Sequence, residues 1–308
     1  GPPPAGNYTT AGGYTPIPDQ QSMGGLGAGD VFIDCCGETV PASSLSPWQL
    51  PLAMCCPCCI GDPCSENRRN WYLAQLKTFI GIISVVELCI FMGEVYLSGT
   101  WSAMLAVPTD TLIKMGGKVA VLITAGEYWR LVTPIVLHAG IMHCVINIFV
   151  QCMFGIQLER EWGSSQVALI YLAGGIYGNI LSVLFSPGAV SIGCSGSIFG
   201  LFGAQVAFIL GMWKNMGDLQ KKMLTMSLGI SACFICIFSF SVGVDMSAHL
   251  GGFLCGIVIG LGYFSHLWGE SHWWSHHGKV IAYGTLATTT LIALVYFWHN
   301  PELGYKGD

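Results

Sequence analysis

From Trp71 onward, apolar stretches of roughly twenty residues follow one another with short polar breaks, and each is long enough to cross the hydrocarbon core of a bilayer. Backbone groups in lipid must be satisfied within the chain, and long continuous apolar runs do this as helices. Spans are predicted near 72–98, 131–157, 166–186, 195–213, 222–241, 246–266 and 279–298, seven in all. Only 9% of the residues are charged, against about a quarter in soluble domains, so a soluble fold is excluded. The expected fold is an all-α polytopic membrane protein.

Residues 1–70 differ in kind. Gly1 to Gly29 is rich in Gly, Pro and small polar residues without helical or strand periodicity, and such a segment buries too little apolar surface to offset its ordering entropy. The predicted organisation is a disordered, Cys-rich cytosolic N-terminal region at 1–70, a six-helix core at 71–266, and an inner loop, seventh helix and short tail at 267–308. The chain begins at Gly1 without Met or a secretory-type signal, so a processed or truncated terminus is expected. With the N-terminus cytosolic, the inner side carries Arg68, Arg69, Lys77, Arg160, Lys214, Lys221, Lys222 and Lys279. The outer side carries only Lys114, Lys118, Arg130 and Lys306, as the positive-inside rule requires. The long connection from Thr100 to Arg130 then faces outward, and so do the starts of the fourth and sixth spans.

Those two starts hold the chemistry. Ser195 lies in Gly193-Cys194-Ser195-Gly196 at the first turn of its span, where free N–H groups favour developing negative charge. His249 lies in Ala248-His249-Leu250-Gly251-Gly252. Ser between glycines is often a packing residue, and an interfacial His often bonds a carbonyl. The small residues argue for more. Ala248, Gly252, Gly256 and Gly260 repeat every four positions, as do Gly196, Gly200 and Ala204, so the two spans can approach closely and bring the base to the hydroxyl. Asp245, one turn before His249, is available as a third member but is more simply an interfacial residue. His143 and Asn147 share a face of the second span, and each can donate a hydrogen bond to an oxyanion or act as polar glue between helices.

In these elements the chain resembles the rhomboid intramembrane serine proteases. The resemblance runs from Glu127 to Gly260. Trp129-Arg130 is similar to the family's first-loop element, and His138 through His143 to Asn147 resembles its second-helix pattern. Gly155, Glu159 and Gly163 stand at the family's Gly-xxx-Glu-xxx-Gly spacing, and Gly193 to Gly196 and Ala248 to Gly252 with Gly256 match the serine and histidine motifs. The resemblance implies a six-helix bundle plus one C-terminal helix, the order of eukaryotic secretory-pathway rhomboids. It implies a serine-type endopeptidase with a Ser195–His249 dyad and an oxyanion hole from His143, Asn147 and the N–H groups of Cys194 and Ser195. The implied substrates are single-pass membrane proteins cleaved in or beside their spans, in a secretory-pathway or plasma membrane with the site facing lumen or exterior. A catalytically silent client-binding or trafficking protein is the alternative. Membrane lipid is the other expected partner. No cofactor, metal, nucleotide or nucleic acid is expected.

Cys35, Cys36, Cys55, Cys56, Cys58, Cys59 and Cys64 precede the first span. Cys55, Cys56, Cys58, Cys59 and Cys64 are juxtamembrane candidates for acylation, with zinc and free thiols as rivals. Glu87 and Glu94 share a face of the first span and are read as packing against the first loop, and the His- and Trp-rich run Glu270 to His277 as an interfacial anchor.

Overall fold

The computed structural model describes residues 73–217 and 245–303, with Lys221, Thr225, Met226, Leu228 and Gly229, and the backbone of 31–33 and 39–41. The span expected at 222–241 lies largely outside the described residues, and so do all the cysteines before the first span. The chain divides into two compact units, 1–62 and 63–308. In the first, β1 (Val31–Ile33) pairs antiparallel with β2 (Thr39–Pro41), Phe32 opposite Val40. The ribbon falls inside 1–70, where the sequence predicts no regular structure. Its β-branched and aromatic residues are the local reason.

Every other described element is helical. The long helices are α1 (Phe79–Ser98), α4 (Ile141–Trp162), α5 (Ser164–Phe185), α6 (Ser195–Met212), α7 (Met246–Tyr263) and α8 (Trp273–His299); the short α2 (Thr109–Lys114) and α3 (Ala120–Thr124) lie in the first loop. Among the described residues, six helices are long and apolar enough to cross a membrane, α7 being prolonged to Trp268 by a 3-10 turn. The protein is an all-α polytopic membrane protein.

Three starts differ from expectation, the first being α1, which begins at Phe79 where the span is predicted from 72. The second span is predicted from 131, yet α4 begins at Ile141. Residues Thr133–Val136 form a 3-10 turn with Pro134 near its start, and proline supplies no N–H for a continuing helix. Leu131, Ile135 and Leu137 are apolar because they are buried in protein, Leu131 against α3 and α5 and Ile135 in the helix core. At the other end, α8 starts at Trp273 and not near 279, since the His272 side chain accepts the Trp274 N–H at 3.2 Å and caps it.

The centre of the bundle is α5, α6 and α7, which meet backbone to backbone. A Cβ on Gly252 would overlap the Gly196 carbonyl and one on Gly256 the Gly200 carbonyl, while one on Gly200 would stand 3.0 Å from Gly174 Cα. Lower in this core Phe154 stacks on Phe202 at 4.2 Å between ring centres. The helix α8 is peripheral: it touches α7 where a Cβ on Gly262 would meet Ala282, and Tyr177 Oη of α5 bonds its Leu286 carbonyl.

Candidate active site

Close approach of α6 and α7 brings Ser195 and His249 together. His249 Nε2 lies 2.8 Å from Ser195 Oγ, although the residues are 54 apart in sequence. His249 is buried and Ser195 is partly accessible. The imidazole stacks on Phe199, ring centres 4.2 Å apart and planes 17° from parallel, which fixes the ring plane. Asp245 is engaged elsewhere: it caps α7, Oδ1 accepting the N–H groups of Ser247 and Ala248 at 3.1 and 3.2 Å, while Ser182 Oγ donates to Oδ2.

His143 and Asn147 reach the same place from α4. A Cβ on Gly193 would stand 2.8 Å from His143 Cε1 and 3.9 Å from Asn147 Nδ2, so both side chains flank the residue two before the serine. Gly193 has φ +112°, a conformation that excludes most side chains, and the neighbouring imidazole excludes the rest. The His143 tautomer follows from its partner. Nδ1 accepts the Ala139 N–H at 3.2 Å, which leaves the proton on Nε2, the nitrogen nearer Gly193. Asn147 Nδ2 gives one hydrogen to the His143 carbonyl at 2.9 Å and keeps a second. Ser195 is the first residue of α6 and Cys194 its N-cap, so their N–H groups belong to the turn that has no preceding carbonyls to bond.

The remaining motif residues hold this corner in place. Arg130 bonds Glu127 at 2.6 Å and the carbonyls of Ile113 and Gly117 at 2.7 and 3.0 Å, which ties the first loop to itself. Trp129 is 56% exposed and outside the site. Glu159 caps α1, its two oxygens accepting from Phe79 N at 2.6 Å and Ile80 N at 2.9 Å. Gly155 packs on Ile80, and Gly163, at φ +86°, breaks α4 from α5. Glu94 accepts the His138 N–H at 3.0 Å, whereas Glu87 bonds Tyr171 and Gln151 in the helix core, away from the loop packing expected of it.

Lys118, read in the sequence only as an outer-side charge, has a larger part. It is fully buried, and its Nζ donates to the carbonyls of Ser186 and Ala189, each at 2.8 Å. Its backbone pairs with Ser191 in both directions, at 3.0 and 3.2 Å. The segment leading to Ser195 is therefore strapped to the first loop. Burial pulls its ammonium down to about 8, against the raising effect of Asp245. In the run Glu270 to His277, His276 and His277 bond the carbonyls of Glu270 and Trp273.

Comparison with known proteins adds a second line. Residues 125–266 match the Rhomboid domain family. The chain is 30% identical over 214 residues to Rhomboid-like protease 3 of Toxoplasma gondii, covering 69% of this chain and 78% of that one. It is 31% identical over 202 residues to Rhomboid-like protease 1 of the same organism, covering 65% and 68%. Rhomboid protease GluP of Bacillus subtilis is 42% identical over 153 residues, 48% of this chain and 28% of that protein.

Proposed function

The chain belongs to the rhomboid family, and from that premise we propose that it is an intramembrane serine endopeptidase acting on membrane-anchored proteins. The 2.8 Å contact between His249 Nε2 and Ser195 Oγ is the observation that carries the reading. His249 takes the Ser195 proton as Oγ bonds to the scissile carbonyl carbon, and the carbonyl π pair moves to oxygen. The oxyanion is met by His143 Nε2–H, the second Asn147 amide hydrogen and the N–H groups of Cys194 and Ser195; losing one donor typically costs about 3–4 kcal/mol in the transition state. His249 then gives its proton to the leaving nitrogen, the C–N bond breaks, and a water activated by the same imidazole releases the acyl group. Phe199 holds the ring and Lys118 holds the segment before the serine, so both act as positioning residues.

A helical substrate hides its carbonyls in hydrogen bonds. Hydrolysis needs local unwinding, which Gly or Pro eases by about 1–3 kcal/mol per residue. The substrates are accordingly single-pass proteins with helix-breaking residues near the end of the span, met at the lumenal or exterior side of a secretory or surface membrane.

The test is cleavage of a single-span substrate in proteoliposomes by the full chain, with Ser195→Ala and His249→Ala alongside. Cleavage in or beside the span that both changes abolish supports the protease. Persistence in both variants sinks the dyad, and a wild type that retains clients without cutting them favours the client-binding alternative.

A further inference from the structure

The residue before the nucleophile turns its side chain into a buried polar cluster. Cys194 Sγ is 3.9 Å from His138 Nε2, and a Glu87 carboxylate oxygen completes a trio whose ligand atoms all lie within 4.8 Å of one another. Each of the three residues is 0% exposed. They arrive from separate stretches: α1, the segment before α4, and the cap of α6.

Hydrogen bonds around Glu87 define its charge. Tyr171 Oη lies 2.7 Å from both Glu87 Oε1 and Gln151 Oε1, and one hydroxyl proton serves only one of them. Gln151 Nε2 donates to Glu87 Oε2 at 2.8 Å and to Ser84 Oγ at 2.7 Å, and Ser84 donates onward to the Ile80 carbonyl. The network closes when the carboxyl carries its own proton. Glu87 is then a neutral acid, in keeping with the high cost of an unpaired buried carboxylate.

We propose that Glu87, His138 and Cys194 form a binding site for a borderline divalent cation of the zinc class, taken up in exchange for the protons of Glu87 and Cys194. Two protons leave and one divalent cation enters. A carboxylate, a thiolate and a neutral imidazole balance its charge, so the cluster is neutral before and after and no net charge is buried. Thiolate and imidazole select zinc-like ions over magnesium or calcium. Zn–N of about 2.0 Å and Zn–S of about 2.3 Å at a tetrahedral angle put nitrogen and sulfur ~3.5 Å apart, a few tenths of an ångström inside the observed separation. Gln151 Oε1 and Tyr171 Oη, beside the carboxyl, are the neutral oxygens available for the fourth position. The bound ion would tie α1 to the residue preceding Ser195. The site stands whether or not Ser195 is a nucleophile.

The test uses the full chain purified in detergent from zinc-supplemented cells, with Cys35, Cys36, Cys55, Cys56, Cys58, Cys59 and Cys64 all replaced by Ser so that their thiols add no metal. After dialysis against a chelator, about one zinc per chain is expected by atomic emission, since a buried site releases its ion slowly. Cobalt supplied in place of zinc is expected to show a thiolate-to-cobalt charge-transfer band. Cys194→Ser should abolish the band and the retained zinc. Glu87→Gln, which keeps a neutral side chain of the same shape and thus the fold, should lower zinc at least tenfold. No retained metal in the parent chain, or retained metal unchanged in both variants, would overturn the proposal.

Discussion

Between α6 and α7, Gly196 faces Gly252 and Gly200 faces Gly256 with no side chain between them, whereas α1 meets α4 through Glu159, whose carboxylate caps the N–H groups of Phe79 and Ile80. The first contact is made by removing atoms and the second by adding charged hydrogen bonds. Lipid provides little hydrophobic drive between helices, so each half needs its own substitute: close dispersion contact in one, charge-assisted bonds in the other. The halves therefore tolerate different errors. Backbone packed on backbone cannot yield to a new methyl group, while polar straps add up from separate bonds and fail one at a time.

The largest effect is expected at Gly256. Its Cβ would fall on the Gly200 carbonyl, so Gly256→Ala must part α6 from α7. A displacement near 1 Å at the dyad costs on the order of 100-fold in rate, and overpacking adds about 1–3 kcal/mol of instability. Labelling of Ser195 by a fluorophosphonate and substrate cleavage should fall together. Near-normal labelling would mean the glycine face is not what sets the dyad distance.

Lys118→Met probes another polar strap, the one from the first loop to the segment before Ser195, and should act more gently. Two carbonyls lose their donor, and cleavage should fall roughly tenfold while the protein still folds, as the loss of about 1–2 kcal/mol implies. The substitution also has a pH signature. Burial lowers the ammonium from 10.5 to about 8, so between these values the unfolded chain holds the extra proton and wild-type stability rises with pH. The rise is at most about 3 kcal/mol, and Lys118→Met should flatten it in thermal unfolding scans across that range. A parallel pH profile in the variant would remove Lys118 from this role.

The smallest effect is expected at Gly284 of α8, where an added Cβ meets nothing within 4 Å. Gly284→Ala should change melting and activity by no more than about 0.5 kcal/mol. Set beside Gly256→Ala, it separates glycine that is packed from glycine that merely faces outward.

What could be read in the sequence follows the same division. The four-residue spacing of Gly196, Gly200, Gly252 and Gly256 is local and periodic, so the close helix pair and its Ser195–His249 contact were legible there. Lys118 was not, because its partners Ser186 and Ala189 lie 68 and 71 residues away and a lone lysine carries no period. Glu87 and Tyr171 are 84 residues apart and equally hidden. The start of α4 was misplaced because Leu131, Ile135 and Leu137 look the same whether buried in protein or immersed in lipid. Hydropathy reports removal from water and not the agent that removes it.

The Phe199–His249 stack has a consequence beyond holding a ring plane. In the proposed mechanism the imidazole that accepts the serine proton becomes a cation lying 4.2 Å from the electron-rich face of a benzene ring. Such a cation–π contact is worth about 0.5–2 kcal/mol, or roughly twofold to thirtyfold in rate when the charge exists only on the way to products. On that mechanism a hydrocarbon side chain four residues after the serine would lend electrostatic help of the kind usually supplied by a carboxylate, without burying a second permanent charge in the bilayer.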